Sequence, residues 1–127
     1  MNNAQIDAIL STVQVYLDGL YEGDPEKLRQ AFHPASSLFA SIDDKLVNVP
    51  REQWCEMVGS RPSPKSKGQG REHERILSID LTGPNTAMVK LTCAILPRLF
   101  TDYLSLIRLD GRWQVISKTY HAETLPG

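Results

Sequence analysis

Asp110-Gly111 stands between two long runs of alternating apolar and polar residues, and this feature most limits what the chain can form. Aspartate followed by glycine suits a two-residue reverse turn, whose central positions need positive φ. Phe100–Leu109 before the turn and Arg112–His121 after it have the two-residue period of strands. The two runs therefore form a β-hairpin, which needs further elements over its apolar face to be stable. A two-residue turn puts Leu109 opposite Arg112, Leu106 opposite Val115, Leu104 opposite Ser117, Asp102 opposite Thr119 and Phe100 opposite His121. One face then carries Phe100, Asp102, Leu104, Leu106, Trp113, Val115, Ser117, Thr119 and His121. The other carries Thr101, Tyr103, Ser105, Ile107, Gln114, Ile116, Lys118 and Tyr120. The first face, with Trp113 and the large aliphatics, is expected to meet helices and a pocket. The second is amphipathic, and Tyr103, Ser105, Ile116, Lys118 and Tyr120 suit a contact with a second copy of the chain. A bulge would exchange these assignments, because a one-residue slip turns every side chain over.

The rest of the chain divides into helices first and strands after. Ile6, Ile9, Leu10, Val13, Leu17 and Leu20 recur at helical spacing, with Asn2 and Gln5 placed as a weak capping box. Gly23 ends that helix, and Asp24-Pro25 caps and opens a short second one that carries Leu28, Ala31 and Phe32 inward and stops near His33. Two short strands are expected at Leu38–Ile42 and Leu46–Val49, then a helix from Pro50 with Trp54, Met57 and Val58 on one side. Ser60–Gly70 is rich in Pro, Ser, Gly and Lys and reads as a loop. Arg61, Lys65, Lys67 and Arg71 make it locally basic, as a solvated loop or an anion site would be. Strands are expected at His73–Thr82, with Leu77, Ile79 and Leu81 on one face, and at Thr86–Leu96, with Ala87, Val89, Leu91, Cys93 and Ile95 on one face. Helices followed by antiparallel strands predict one α+β domain over residues 1–127, with the helices packed on one face of a sheet.

Composition narrows the functions. A formal charge of −1 over 127 residues lacks the basic excess that general nucleic-acid binding needs. No apolar run approaches the ~20 residues of a membrane-spanning helix, and the N-terminus does not read as a signal peptide. A cytoplasmic protein is expected, with no nucleic-acid or membrane partner. Cys55 and Cys93 lie in apolar segments without metal-ligand spacing and read as buried free thiols. The three histidines form no His-x-His or His-x-x-x-His pair, so neither a metal nor a cofactor is expected.

Asp102 and His121 are diagonal neighbours on the pocket face in the regular register, ~7–8 Å apart at the backbone. A carboxylate beside an imidazole raises the histidine pKa and orients the ring, which makes a general acid–base pair or a structural one. His33 is a second candidate, either as a base or as a helix-end hydrogen-bonding group. Arg75 shares a face with Leu77 and Ile79 and is placed to hold an anion or to pair at the surface. Tyr16, Phe32 and Trp54 are helix-face aromatics that fill the core or line a cavity.

YLDGLYEGDPEKLRQAFHP, RILSIDLTGPNTAMVKL and FTDYLSLIRLDGRWQVISKTYH together resemble the nuclear-transport-factor-2-like superfamily. The likeness is to the branch labelled putative lumazine-binding, related to the SnoaL-like polyketide cyclases. It implies a cystatin-like cone in which a curved antiparallel sheet wraps the N-terminal helices around a pocket. It also implies a homodimer through the outer sheet face and a small apolar or cyclic ligand. Relatives include isomerases, dehydratases and cyclases as well as proteins without known activity. Three functions follow as expectations: a small-molecule-binding cone; an isomerase, dehydratase or cyclase using Asp102, His121 or His33; and a non-catalytic dimerisation module. In the first two, Tyr16, Phe32, Trp54, Arg75, Phe100, Leu104, Trp113 and Ser117 are expected around the ligand.

Overall fold

A computed structural model describes residues 3–126, so the expected cap at Asn2 lies outside the described residues. Helix α1 (Asn3–Glu22) and helix α2 (Pro25–Ala31) come first. Strands β1 (Phe32–Ile42) and β2 (Lys45–Pro50) follow, then helix α3 (Arg51–Ser60). Strands β3 (Arg75–Thr82), β4 (Thr86–Ile95), β5 (Arg98–Leu109) and β6 (Arg112–Thr124) complete the chain. The Asp24 carboxylate accepts a hydrogen bond from the Glu26 amide at 3.0 Å, and Pro25 opens α2 as the sequence predicts. Phe32 does not continue that helix. Its backbone turns extended (φ −110°, ψ 133°) and it starts β1 six residues earlier than the apolar run at Leu38 suggests. Pro34 lies where the β1–β6 register shifts, the place in a sheet where a missing N–H does least harm.

The six strands form one curved, unclosed sheet in the order β2-β1-β6-β5-β4-β3. Neighbours are antiparallel except β1 and β6, which run parallel, so the sheet is mixed rather than wholly antiparallel. Alternation in sequence reports faces and not direction. The free edge of β6 accepts β1 in whichever sense α2 delivers it. The helices cover the concave face. Ile9, Val13 and Leu17 of α1 pack with Leu28 of α2 and with Val89, Leu91, Leu104, Leu106 and Val115 of the sheet in one contiguous core.

Two bulges decide which side chains the concave face receives. Asp110 and Gly111 both adopt positive φ, 51° and 74°, and Leu109 pairs with Arg112 as the two-residue turn requires. The regular register holds to Leu106 opposite Val115. It then slips: Ser105 pairs with Ser117, Leu104 with Lys118, Asp102 with Tyr120 and Thr101 with His121. Ile116 is the extra residue. Beyond it the faces of β6 are the reverse of those read from the turn, so Lys118 and Tyr120 join Asp102 while Ser117, Thr119 and His121 face out. The second bulge lies between Ile76 and Ser78 of β3. It leaves Leu77 half exposed, at 50%, instead of inward with Ile79 and Leu81.

Candidate functional site

The concave face closes over a cavity of about 110 Å³ between α3 and the ends of β4, β5 and β6. Leu20, Leu38, Val49, Trp54 and Ile95 make most of its wall apolar. Cys93 of β4, Phe100 of β5, and Lys118 and Tyr120 of β6 also reach it. Met57 and Arg98 are exposed and mark its mouth, with the half-buried Arg61 beside them.

One polar chain runs behind this wall. The Lys118 ammonium donates to the Tyr16 hydroxyl at 2.7 Å, and that hydroxyl donates to Asp102 Oδ2 at 2.5 Å. Lys118 Nζ and Asp102 Oδ2 are 3.8 Å apart, a salt bridge. Cys93 Sγ lies 3.9 Å from the same oxygen. Lys118 retains 5% of its exposure and Asp102 none, so this ion pair is almost wholly out of water. Three aromatic rings surround the ammonium: Nζ lies 5.0 Å from the Tyr16 centroid, 5.0 Å from Trp54 and 5.4 Å from Tyr120. All are within the range where a ring face attracts a cation. Asp102 Oδ1 is buried with no hydrogen-bond partner.

This packing sets the protonation of the neighbouring acids. Burial first, and the Asp102 carboxylate second, hold the Tyr16 hydroxyl well above its ordinary pKa. The same two causes push the Cys93 thiol up to about 12. Tyr16 therefore stays a neutral hydroxyl, able to accept from Lys118 while donating to Asp102. At the mouth, burial and the like charge of Arg98 pull the Arg61 pKa down. Neither guanidinium forms a salt bridge among the described residues; Arg98 lies over the Phe100 ring at 5.0 Å.

The expected Asp102–His121 pair is corrected. His121 is paired with Thr101 on the outer face and is exposed, because the bulge at Ile116 turned it over. The same slip corrects Lys118 and Tyr120, expected at a subunit contact, to the cavity wall. Ser117 moves from the pocket side to a place opposite Ser105. His33 does not reach the cavity. Its Nδ1 accepts from the Ala35 amide at 3.0 Å, and it borders an open surface hollow with Arg29, Arg51 and Arg112. Arg75 is exposed on β3 and away from the cavity lining. Tyr16, Phe32 and Leu104 are buried core residues; Phe32 stacks 4.7 Å from Trp54 and 5.2 Å from Tyr16, behind the wall. Trp113 is buried at the other end of the sheet, where its carbonyl accepts from Thr12 Oγ1 at 2.9 Å. Trp54 and Phe100 line the cavity. Tyr103 and Ser105 are exposed on the outer face and Ile116 is half-buried.

Lys118 and the two arginines were not singled out from the sequence as pocket residues. A signal for Lys118 existed. Asp102 lies in the middle of an apolar face and calls for a cation across the strand, which the regular register answers with His121 and the slipped one with Lys118. No set of three His, Cys, Asp or Glu side chains is placed to hold a metal among the described residues.

A curved sheet wrapped on N-terminal helices around one cavity is the nuclear-transport-factor-2-like cone. The chain belongs to the family described as "Putative lumazine-binding", whose model matches residues 4–121. A nuclear-transport-factor-2-like protein of unknown function from Silicibacter pomeroyi DSS-3 superposes with a TM-score of 0.84 at 21% identity, covering 97% of this chain and 100% of that one. Another from Methylobacillus flagellatus KT gives a TM-score of 0.84 at 26% identity, with 98% and 96% covered. Among curated proteins, Aldolase FrzH from a Cladobotryum species is 23% identical over 124 residues, 96% of this chain and 94% of that protein. No described helix is long and apolar enough to cross a membrane.

Proposed function

We propose that the protein binds a small carbonyl compound in its cone and assists proton transfer at the carbon next to the carbonyl. The observation that carries this reading is the Lys118 ammonium beside a mostly apolar cavity wall, held by Tyr16 and balanced by Asp102. Removing the α-proton of a carbonyl compound moves negative charge onto its oxygen. A fixed cation in a dry site stabilises that charge far more than water would, and needs no reorganisation as it forms. Asp102 does not touch the substrate in this reading. It positions Lys118 through Tyr16, and its own charge keeps the ammonium in place. A relative that is an aldolase supports the assignment, since aldol chemistry passes through an enolate or its nitrogen equivalent.

The experiment is deuterium exchange of α-protons, followed by NMR, in a panel of small ketones and oxo acids. We expect exchange catalysed by the wild type and a loss of about 10²–10³-fold in Lys118→Met, the usual cost of one oxyanion donor. Exchange as fast in Lys118→Met as in the wild type would overturn the reading.

We further propose that two copies pair through the outer sheet face. Met88 and Tyr103 are exposed there, and Lys90 Nζ lies 5.3 Å from the Tyr103 ring centroid. Cys55 and Cys93 as free buried thiols suit a reducing compartment, the cytoplasm.

A further inference from the structure

We propose that Lys118 is a nucleophile that forms an imine with the carbonyl carbon of a small oxo acid, whose carboxylate sits between Arg61 and Arg98. This rests on the reading of the cavity as a carbonyl site and deepens it. Two observations meet here. Lys118 lines the cavity, and its amine is joined by two short hydrogen bonds to a carboxylate that can take its proton. The mouth of the same cavity carries two guanidiniums that no carboxylate of the described residues pairs with, which is an arrangement for an anionic ligand.

The step balances within the chain. A proton passes from Lys118 Nζ to Tyr16 Oη while the Tyr16 proton passes to Asp102 Oδ2, leaving a neutral amine and a neutral acid. The amine lone pair forms the N–C bond, the carbonyl π electrons move to oxygen, and an amine proton moves to that oxygen. The proton held by Asp102 then returns through Tyr16 to the hydroxyl, which leaves as water as the C=N bond forms. The product is a protonated imine on Lys118, and Asp102 is a carboxylate again. The iminium draws electrons from the α-carbon more strongly than the ketone did, so the same cavity would hold the nitrogen equivalent of an enolate.

Reductive trapping tests this. The wild type is incubated with pyruvate and sodium cyanoborohydride, digested and mapped by mass spectrometry, with acetone in a parallel arm. We expect the Lys118 peptide to gain the mass of pyruvate less one water plus two hydrogens. Its labelling should exceed that of the exposed Lys45, Lys65 and Lys67, and acetone should label it less. Arg98→Gln, a change at an exposed position, should lower pyruvate labelling about tenfold, the loss of one charge-assisted contact, and leave acetone labelling as it was. Labelling of the exposed lysines with Lys118 unmodified would overturn the imine. If α-proton exchange persists in that case, only the covalent step falls; if exchange is also absent, the carbonyl reading falls with it. Equal response of pyruvate and acetone to Arg98→Gln would overturn the anion-binding mouth alone.

Discussion

Lys118 and Asp102 illustrate how a buried charge constrains its surroundings. Each is tolerated out of water only because the other is present and Tyr16 bridges them. Lys118→Met should therefore cost about 3–5 kcal/mol, because it leaves Asp102 as a buried and uncompensated carboxylate. Adding Asp102→Asn should recover much of that loss, so the double variant should unfold in urea at a higher midpoint than Lys118→Met alone. A simple sum of the two single losses would show that the pair is not coupled. The acids nearby set an alkaline limit. Tyr16 and Cys93 both hold their protons above their unfolded pKa values, so below about pH 8.5 they leave stability untouched. As pH rises past that point the unfolded chain sheds these protons first, and stability falls, through the Cys93 folded value of about 12. A urea midpoint that declines above pH 9, and declines less in Cys93→Ala, is the expected outcome. At this scale the sequence was half legible. Asp102 stood out as a carboxylate on an apolar strand face, and Cys93 as a buried thiol. The cation that answers Asp102 could not be named, because His121 and Lys118 lie three residues apart on a strand and thus on opposite faces.

The hairpin fixes which of those two is chosen. Asp110-Gly111 sets the register at the turn through two positive-φ residues, and alternation carries it to Leu106 opposite Val115. Ile116 then interrupts it. Deleting Ile116 would remove the bulge and leave the pairing on both sides of it in place, with Val115 opposite Leu106 and Ser117 opposite Ser105. Lys118 would stay opposite Leu104 and Tyr120 opposite Asp102, so Asp102 keeps its cation and the cavity its wall. We expect Lys118→Met to cost about 3–5 kcal/mol in the shortened chain as in the full one, read as the urea midpoint; a much smaller cost after the deletion would mean that the bulge itself holds Lys118 against Asp102. The elements themselves were largely readable. Helical spacing marked α1, Asp24-Pro25 marked the start of α2, and two-residue alternation marked β4 and β5. The bulges were not, because Ile116 and Leu77 are ordinary strand residues and a bulge is a property of two strands together.

Across the molecule the sheet has two unlike faces. The concave one holds the core and the cavity, whereas the outer one presents Met88, Tyr103, Ser105 and Thr119 to solvent. If two copies pair there, Tyr103→Asp should convert a dimer to a monomer in sedimentation equilibrium while leaving α-proton exchange in place, since Tyr103 lies outside the cavity lining. A wild-type monomer would sink that proposal.

The sequence by itself determined the order of helices and strands, the hairpin turn and the apolar set that makes the core. These are local matters: periodicity, a proline, a glycine, a run of branched side chains. Only the tertiary structure decided that β1 joins β6 in parallel, that Leu77 and His121 face outward, and that Lys118 meets Asp102 through Tyr16. The physical reason is that strand alternation is blind to direction and to a single inserted residue. One unpaired isoleucine turns over the last third of β6, and with it the identity of the cation in the site.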